Sequence, residues 1–193
     1  MQTLTGAAIT PYLPVLGRLR VTIFRDFPYL YDGDEASEVG FLEAFAAAAG
    51  AGLVVAFDGD RPVGCATCMP CTAEPKVAEA VAARGADPDQ VAYFGESVLL
   101  PEYRGRGIGV RFFAGREAHA RTLPGRTVSC FASVRRSPDH RLKPPGYHKL
   151  DSFWRNRGYA PWPGLPLTLA WKQIDTADEV ENQLDFWRRD LLA

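Results

Sequence analysis

Residues 91–121 of the chain read VAYFGESVLLPEYRGRGIGVRFFAGREAHAR and decide the fold. Residues 91–100 are mostly β-branched, aromatic or aliphatic, which is typical of a strand, whereas Ile108, Phe112 and Ala120 recur at helical spacing. Between them lie three glycines at the start of the predicted helix, where backbone N–H groups have no intrahelical partner and the helix dipole is positive. A strand, a glycine turn and a helix in this order predict a binding site for an anion such as a pyrophosphate.

The spacing of the turn excludes two common phosphate-binding loops. The P-loop pattern requires Lys and then Ser or Thr after its last glycine, but Val110 and Arg111 follow Gly109. The dinucleotide pattern G-x-G-x-x-G ends on Val110 when it is started at Gly105, and on Phe112 when it is started two residues later. Neither residue is the glycine that close packing requires at that place.

The turn does fit the pattern R/Q-x-x-G-x-G/A, through Arg104, Gly107 and Gly109. A second region, residues 150–159 (LDSFWRNRGY), is similar to a short helix that leads into a strand beginning with Gly and Phe or Tyr. On these two motifs, residues 9–174 resemble the GNAT superfamily of N-acetyltransferases. The resemblance implies an α/β (α+β) fold with a central, mixed, mostly antiparallel and splayed sheet flanked by helices. The six-residue motif alone leaves open a structural turn before a surface helix.

Length and composition indicate one domain over residues 1–193. The chain is 47% hydrophobic and 23% charged, as in ordinary globular proteins. No apolar run reaches the length of a membrane span, and residues 1–14 lack the charged and apolar regions of a signal peptide. We therefore expect a cytoplasmic protein without a membrane partner.

The net charge of −1 conceals a basic middle segment. Residues 1–100 contain 6 basic residues (Lys and Arg) and 13 acidic residues (Asp and Glu). Residues 101–160 contain 13 basic and 4 acidic residues, and residues 161–193 contain 3 basic and 6 acidic residues. Such a segment attracts a polyanion such as coenzyme A. It would also attract nucleic acid, but the segment lacks the aromatic platforms and recognition motifs of nucleic-acid readers, so we expect no nucleic-acid partner.

Three cysteines, Cys65, Cys68 and Cys71, are spaced like part of an iron–sulfur motif. No fourth cysteine follows nearby, and in a strand an offset of three places two residues on opposite faces. We interpret them as small buried thiols and expect no metal.

The resemblance implies acetyl-CoA, or another acyl-CoA, as the cosubstrate. Backbone from three strand residues would hold the pantetheine and polarise the thioester carbonyl, and the glycine turn would hold the pyrophosphate. The residues concerned are Val98, Leu99, Leu100, Arg104, Gly105, Arg106, Gly107, Ile108 and Gly109.

The resemblance implies a general base that is an acid on the central strand, and Glu96 is the candidate because it is the only carboxylate in residues 91–100. Glu96 lies eight residues before Arg104, whereas in the family members to which we compare it the glutamate lies nine or eleven residues before the first residue of the motif. In a strand, an offset of one residue moves a side chain to the opposite face of the sheet unless a bulge intervenes. Glu96 could instead pair with an arginine. For the general acid we predict Tyr147, because the position where the family often has tyrosine is Trp154, whose indole has no proton to give a thiolate. The alternative for Tyr147 is an aromatic packed at a helix start.

Two segments are candidates to bind the acceptor. Tyr29, Tyr31 and Asp32 lie in a connection rich in aromatic and acidic residues, and they favour binding of a cationic amine. The alternative interpretation of this connection is a packed turn without a binding role. Arg135 and His140 lie in a long basic loop, and they favour binding of an acceptor with a carboxylate or phosphate. The alternative interpretation of this loop is a solvated basic surface without a binding role. The acceptor's identity and the acyl chain length stay open.

The remaining patterns predict the rest of the scaffold. Thr176 to Glu179 forms a capping box, and an apolar stripe follows it, so residues 176–193 are predicted to form a terminal helix packed on its own domain or on a partner subunit, as in a homodimer. We further expect strands at residues 4–9, 52–57, from 62, 127–134 and 167–174, and helices at residues 10–24, 38–49 and 75–84.

The sequence thus favours an acyl-CoA-dependent N-acetyltransferase that acetylates a primary amine of a small molecule or peptide by direct transfer. The alternative is a non-catalytic acyl-CoA-binding module, which the tryptophan at the usual tyrosine position allows.

Overall fold

The computed structural model describes residues 1–192, with every side chain except that of Leu165. The helices are α1 (Leu13–Phe24), α2 (Glu35–Ala47), α3 (Pro75–Ala82), α4 (Ile108–Ala120) and α5 (Asp151–Arg155). The strands are β1 (Gln2–Thr5), β2 (Gly52–Asp58), β3 (Arg61–Pro70), β4 (Val91–Tyr93), β5 (Ser97–Leu99), β6 (Val128–Val134), β7 (Ala160–Lys172) and β8 (Glu179–Asp190).

These strands form one sheet in the order β1-β2-β3-β4-β6-β8-β7, and β5 pairs with β3 beyond the end of β4. Only β4 and β6 run parallel among the described pairs; the others are antiparallel. The mixed, mostly antiparallel sheet flanked by helices is therefore confirmed.

Helices cover both faces of the sheet. Along β2, Leu53 and Val55 pack with α1, whereas Val54 and Ala56 pack with α4. This alternation is the period of two that a strand imposes on its side chains. Helix α4 comes very close to the sheet, because a Cβ added at Gly115 would lie only 3.0 Å from Val54. A bulkier residue there would push the helix away from the strands.

The sheet opens between β5 and β6. Strand β4 stays paired with β6 as far as Tyr93 and Cys130, and the last bond runs from the Phe94 N–H to the Cys130 carbonyl at 2.8 Å. Residues 94–96 then interrupt the strand, and β5 continues on β3 alone. The continuous strand expected at residues 91–100 is thus broken, and the expected splay is present.

The predicted terminal helix is wrong, because residues 179–190 form β8 between β6 and β7. Leu184 and Trp187 fit a helical stripe, but Asn182, Leu184 and Phe186 are buried at the period of two that a strand requires. Pairing on both edges outweighs the local helix signal. The Thr176 hydroxyl closes a turn with residue 173 instead of capping a helix. Ala193, the last residue of that prediction, lies outside the described residues.

The other predicted elements are present with shifted ends. The hairpin of β2 and β3 turns at residues 59–60, and α1, α2 and α3 occupy most of their predicted ranges. The first strand covers residues 2–5, not 4–9, and a short 3-10 turn, Gly6–Ala8, follows it.

Candidate active site

A cleft of about 1870 Å³ occupies the opening between β5 and β6. It runs from the N-terminus of α4 past residues 94–97 to the α1–α2 connection and the loop of residues 135–149. The glycine turn, the strand break and both candidate acceptor segments therefore contribute to one cavity.

At one end of the cleft, the glycine turn presents free backbone N–H groups. Gly105 and Gly107 have φ angles of 76° and 74°, in the left-handed region that favours glycine. Helix α4 begins at Ile108, and its first bonded amide is that of Arg111, which donates to the Gly107 carbonyl at 3.2 Å. Within the described residues, the N–H groups of residues 105–110 have no protein acceptor. This is the geometry of an anion-binding helix N-terminus.

Gly109 keeps the turn against α5. A Cβ at this position would meet the ring of Phe153 at 3.3 Å. The exposed side chain of Arg104 reaches back to the Leu99 carbonyl at 3.4 Å, and Arg106 lies over the ring of Tyr103 at 5.2 Å. Arg104 lines the cleft, whereas Arg106 does not.

Every second residue of β5 points its backbone N–H and C=O groups into the cleft. The Leu100 N–H donates to β3 at 3.0 Å, and the Glu96 carbonyl accepts from β3 at 3.0 Å. In an antiparallel ladder the bonded residues alternate, so Val98 also points its backbone at β3. Ser97 and Leu99 point theirs the other way. Of the three strand residues predicted to hold a pantetheine, only Leu99 lines the cleft.

The opposite wall of the cleft is the free edge of β6. The Arg135 N–H donates to the Gln183 carbonyl at 2.7 Å, next to the β6–β8 ladder. By the same alternation, Ala132 and Val134 direct their backbone groups away from β8 and into the opening. Two unpaired strand edges thus face each other across the cleft, as a chain-like ligand requires.

Glu96 is the last residue of the strand break. A Cβ at Gly95 would lie 2.7 Å from the Thr67 hydroxyl, and that hydroxyl accepts the Glu96 N–H at 3.1 Å. The break places residues 94 and 96, which would share a face in a regular strand, on opposite faces of the sheet. Phe94 packs under α4, whereas Glu96 and Val98 face α1. This interruption supplies the change of face that the offset from Arg104 requires.

Glu96 is 6% exposed and belongs to a buried ion triad that the sequence did not reveal. Arg20 of α1 bonds the Glu96 carboxylate at 2.8 Å and donates its Nε to Glu38 of α2. The rings of Phe24 and Phe41 flank the guanidinium at 5.2 and 4.4 Å. Burial raises the pKa of Glu96, and the charge of Arg20 opposes that rise. The alternative of an arginine partner for Glu96 is therefore real in the structure.

Aromatic side chains line the other end of the cleft. Tyr29 stacks on Phe24 with ring centroids 4.2 Å apart, and Tyr147 meets Phe27 edge-on at 4.7 Å. Burial raises the pKa of Tyr29 to about 12 and also raises the pKa of Tyr147. Both phenols are therefore protonated at neutral pH and able to donate hydrogen bonds.

Arg136 ties the basic loop to the α1–α2 connection. Its guanidinium donates to the Pro28 carbonyl at 2.7 Å and to the Tyr29 carbonyl at 3.1 Å. No local sequence pattern signals this contact, since the partners lie far apart in the chain. Arg136 thereby positions the aromatic wall of the cleft.

The remaining predicted acceptor residues are placed less favourably. Tyr31 and Asp32 do not line the cleft, and Asp32 is paired with an arginine and a lysine that lower its pKa. His140 also lies outside the lining and accepts a backbone N–H through Nδ1 at 3.2 Å. Arg135 does line the cleft, but its Nε is bonded to Asp185 at 3.0 Å.

The cysteines are free and buried. Cys65 and Cys68 pack in clusters on opposite faces of the sheet. Among the described residues, no group of three or more His, Cys, Asp or Glu side chains could hold a metal ion. None of the helices within residues 1–192 is long and apolar enough to span a membrane.

Comparison of the sequence with models of protein families identifies the family of the chain. The model of the Acetyltransferase (GNAT) family matches residues 18–141, which include the base candidate, the glycine turn and α4. The chain belongs to this family. Acyl transfer from acetyl-CoA is the general activity that membership of the GNAT family supports. No curated protein sequence matches the chain significantly.

Solved structures share the GNAT fold at low sequence identity. A ribosomal-protein-alanine N-acetyltransferase from Brucella melitensis superposes with a TM-score of 0.61 at 15% identity, covering 98% of this chain and 99% of that one. An aminoglycoside 6′-N-acetyltransferase complexed with coenzyme A gives 0.61 at 14% identity and covers 100% and 98%. The protein yncA from Salmonella typhimurium, with its cofactor acetyl-CoA, gives 0.61 at 13% identity and covers 99% and 94%.

Proposed function

We propose that the protein is an acyl-CoA-dependent N-acyltransferase that transfers the acetyl group of acetyl-CoA directly to a primary amine of a small molecule or peptide. The observation that carries this proposal is the order of groups along one cleft. Free N–H groups of residues 105–110 lie at one end, two unpaired strand edges follow, and Glu96 lies where the edges meet.

The cleft matches the successive parts of acetyl-CoA. The N–H groups of the glycine turn would bind the pyrophosphate, aided by the charge of Arg104. Backbone groups of Ser97 and Leu99 on one wall, and of Ala132 and Val134 on the other, would bind the pantetheine as a strand binds its neighbours. An arm held this way brings its thioester to the strand break.

The acceptor would enter from the α1 face, between Tyr29 and Tyr147. A primary ammonium group is attracted by the ring faces and by the carboxylate of Glu96. Glu96 would take the proton from the amine, directly or through a water molecule, and its raised pKa suits it to that role. Tyr147 is our candidate to supply a proton to the departing sulfur.

The ion pair of Glu96 with Arg20 favours a second candidate function, an acyl-CoA-binding module without turnover. A carboxylate held at 2.8 Å by a buried guanidinium is a weaker base than a free one. Acetyl transfer to a panel of primary amines separates the two functions. An enzyme transfers the acetyl group to at least one amine and loses this activity in Glu96→Gln, whereas a binding module consumes no thioester.

The binding step is tested by calorimetric titration with acetyl-CoA. An Arg104→Glu, Gly107→Trp double variant reverses the charge of the turn and fills it, and we expect it not to bind. Gly85→Trp is a matched control, because Gly85 has the same φ of 74°, lies on the surface after α3, and like Gly107 has no atom within 4 Å of an added Cβ. Folded native protein that does not bind acetyl-CoA would contradict the proposal.

A further inference from the structure

Arg116 of α4 is a buried cation that has no anionic contact within the described residues. The residue is 2% exposed and lines the cleft. The guanidinium lies between the rings of Phe94 and Phe113, 4.5 Å from each centroid, and its Nε has no hydrogen-bond partner. Burial lowers the pKa of Arg116 to about 10, so that the group is still charged at neutral pH. An unpaired buried charge is costly, which points to an anion that arrives with a ligand.

The carboxylates near Arg116 already have other partners. Glu96 is bonded to Arg20 across the sheet. Glu117, the next residue of α4, is bonded through both oxygens to Arg189 at 2.9 Å and accepts the hydroxyl of Tyr159 at 3.2 Å. The thiol of Cys68 is nearby, and burial raises its pKa to about 12, so it stays neutral. The charge of Arg116 is therefore not neutralised by its neighbours.

Arg116 lies at the reactive end of the cleft. From Ile108 at the glycine turn to Arg116 the helix advances eight residues, about 12 Å at 1.5 Å per residue. From Leu100 back to Glu96 the chain covers four residues, about 13 Å at 3.3 Å per residue. Both paths start at the pyrophosphate end and finish at the strand break, where the guanidinium lies over Phe94. A thioester at the break would have Glu96 on its α1 face and Arg116 on its α4 face.

We propose that Arg116 is a catalytic residue that stabilises the coenzyme A thiolate as it leaves, an inference that rests on the proposed acyl transfer. The acceptor nitrogen attacks the carbonyl carbon, and a C–N bond forms as the C–S bond breaks. The electron pair of that bond leaves on sulfur, and the proton of the amine passes to Glu96. Arg116 keeps its protons throughout and pairs with the sulfur anion, which takes up a proton afterwards from Tyr147 or from water.

The charge state of the bound thiol tests this inference without turnover. A cation within about 4–6 Å lowers the pKa of an acid by about 1–3 units. We therefore expect coenzyme A bound to the native protein to form its thiolate, followed by ultraviolet absorbance, at a pH about 1–3 units lower than free coenzyme A. Arg116→Met should abolish this difference, and Arg116→Lys should retain part of it. Arg111→Met, an exposed change on the same helix outside the cleft, should leave it intact.

Calorimetry with coenzyme A and with desulfo-coenzyme A separates this inference from the proposed function. At a pH above the thiol pKa of free coenzyme A, the native protein should bind coenzyme A about tenfold more tightly than desulfo-coenzyme A for each pH unit by which binding lowers the thiol pKa. Arg116→Met should bind both ligands equally. A bound thiol with the pKa of free coenzyme A, or a thiol pKa lowered equally in Arg116→Met, would overturn the role of Arg116 while leaving acyl-CoA binding in place. Failure of folded native protein to bind either ligand would overturn the proposed function itself.

Discussion

Replacing Arg20 by methionine should leave the buried carboxylates of Glu96 and Glu38 without the positive charge that neutralises them. The side chains of Arg20 and Glu96 are 14% and 5% exposed, and their closest atoms are 2.8 Å apart. Removing one partner from a buried pair costs about 3–5 kcal/mol, because the remaining charge is left without compensation. The pKa of the carboxylate left behind should therefore rise further. Arg20→Met should therefore take up a proton at Glu96 at a higher pH than the native protein does.

The pH dependence of stability has a definite sign. The pKa of Glu96 is raised in the folded protein, so the folded state holds the proton more tightly than the unfolded chain does. Its stabilising contribution is complete below the ordinary pKa of about 4.3 and is lost as the pH rises through the raised value. Arg20→Met moves that upper limit to higher pH. The loss of unfolding free energy should then be largest at about pH 8 and smaller at about pH 5.

Urea denaturation of the native protein and of Arg20→Met at these two pH values measures the effect. Arg18→Met is the matched control on the same helix, because Arg18 and its partner Glu35 are 54% and 58% exposed and 3.8 Å apart. We expect the control to change stability by less than about 0.5 kcal/mol. Equal losses for Arg20→Met at both pH values, or a loss no larger than that of the control, would refute the reasoning that Arg20 neutralises buried carboxylates.

Three further changes have expected outcomes. Gly95→Ala brings a Cβ to 2.7 Å from the Thr67 hydroxyl and should reduce the free energy of unfolding by about 1–3 kcal/mol, whereas Gly40→Ala in open space on a helix should be neutral or stabilising; chemical denaturation of both variants compares them. If Tyr147 protonates the sulfur while the C–S bond breaks, rather than after the thiolate has left, Tyr147→Phe should lower kcat about 10²–10⁴-fold and remove the alkaline limb of the pH profile of kcat, and an unchanged profile would exclude that role. Arg136→Met should raise KM for the amine with little change in acetyl-CoA binding, because the arginine holds backbone on the acceptor side; steady-state kinetics and calorimetry measure the two effects.

The parts of the site that depend on local sequence could be predicted. Gly105 and Gly107 adopt the left-handed backbone that their motif implies, and the amides that follow them are free because a helix begins there. Gly95 also carries a local signal, since glycine inside a strand marks a bulge or a close approach, yet the run of β-type residues around it predicts a continuous strand. The contact made at the break, with the Thr67 hydroxyl on the neighbouring strand, is not a local property.

Contacts between distant parts of the chain set the rest. The terminal segment has the capping residues of a helix, but it lies between β6 and β7, and the bonds on both of its edges decide its structure. The charge state of Glu96 depends on Arg20, and the aromatic wall of the cleft depends on Arg136. None of these partners is signalled by spacing, because each is brought into place by the packing of a different element.

The strand break accounts for the electrostatics on both sides of the sheet. In an unbroken strand, residues 94 and 96 would share a face, and Glu96 would point with Phe94 toward α4 and Arg116. The two charges would then neutralise each other within the core. Because the break turns Glu96 to the α1 face, its carboxylate pairs with Arg20, and Arg116 is left with aromatic rings as its neighbours. A carboxylate on one face and a cation without an anionic contact on the other suit the proposed acyl transfer from sulfur to nitrogen, in which a proton must leave the amine while negative charge develops on sulfur.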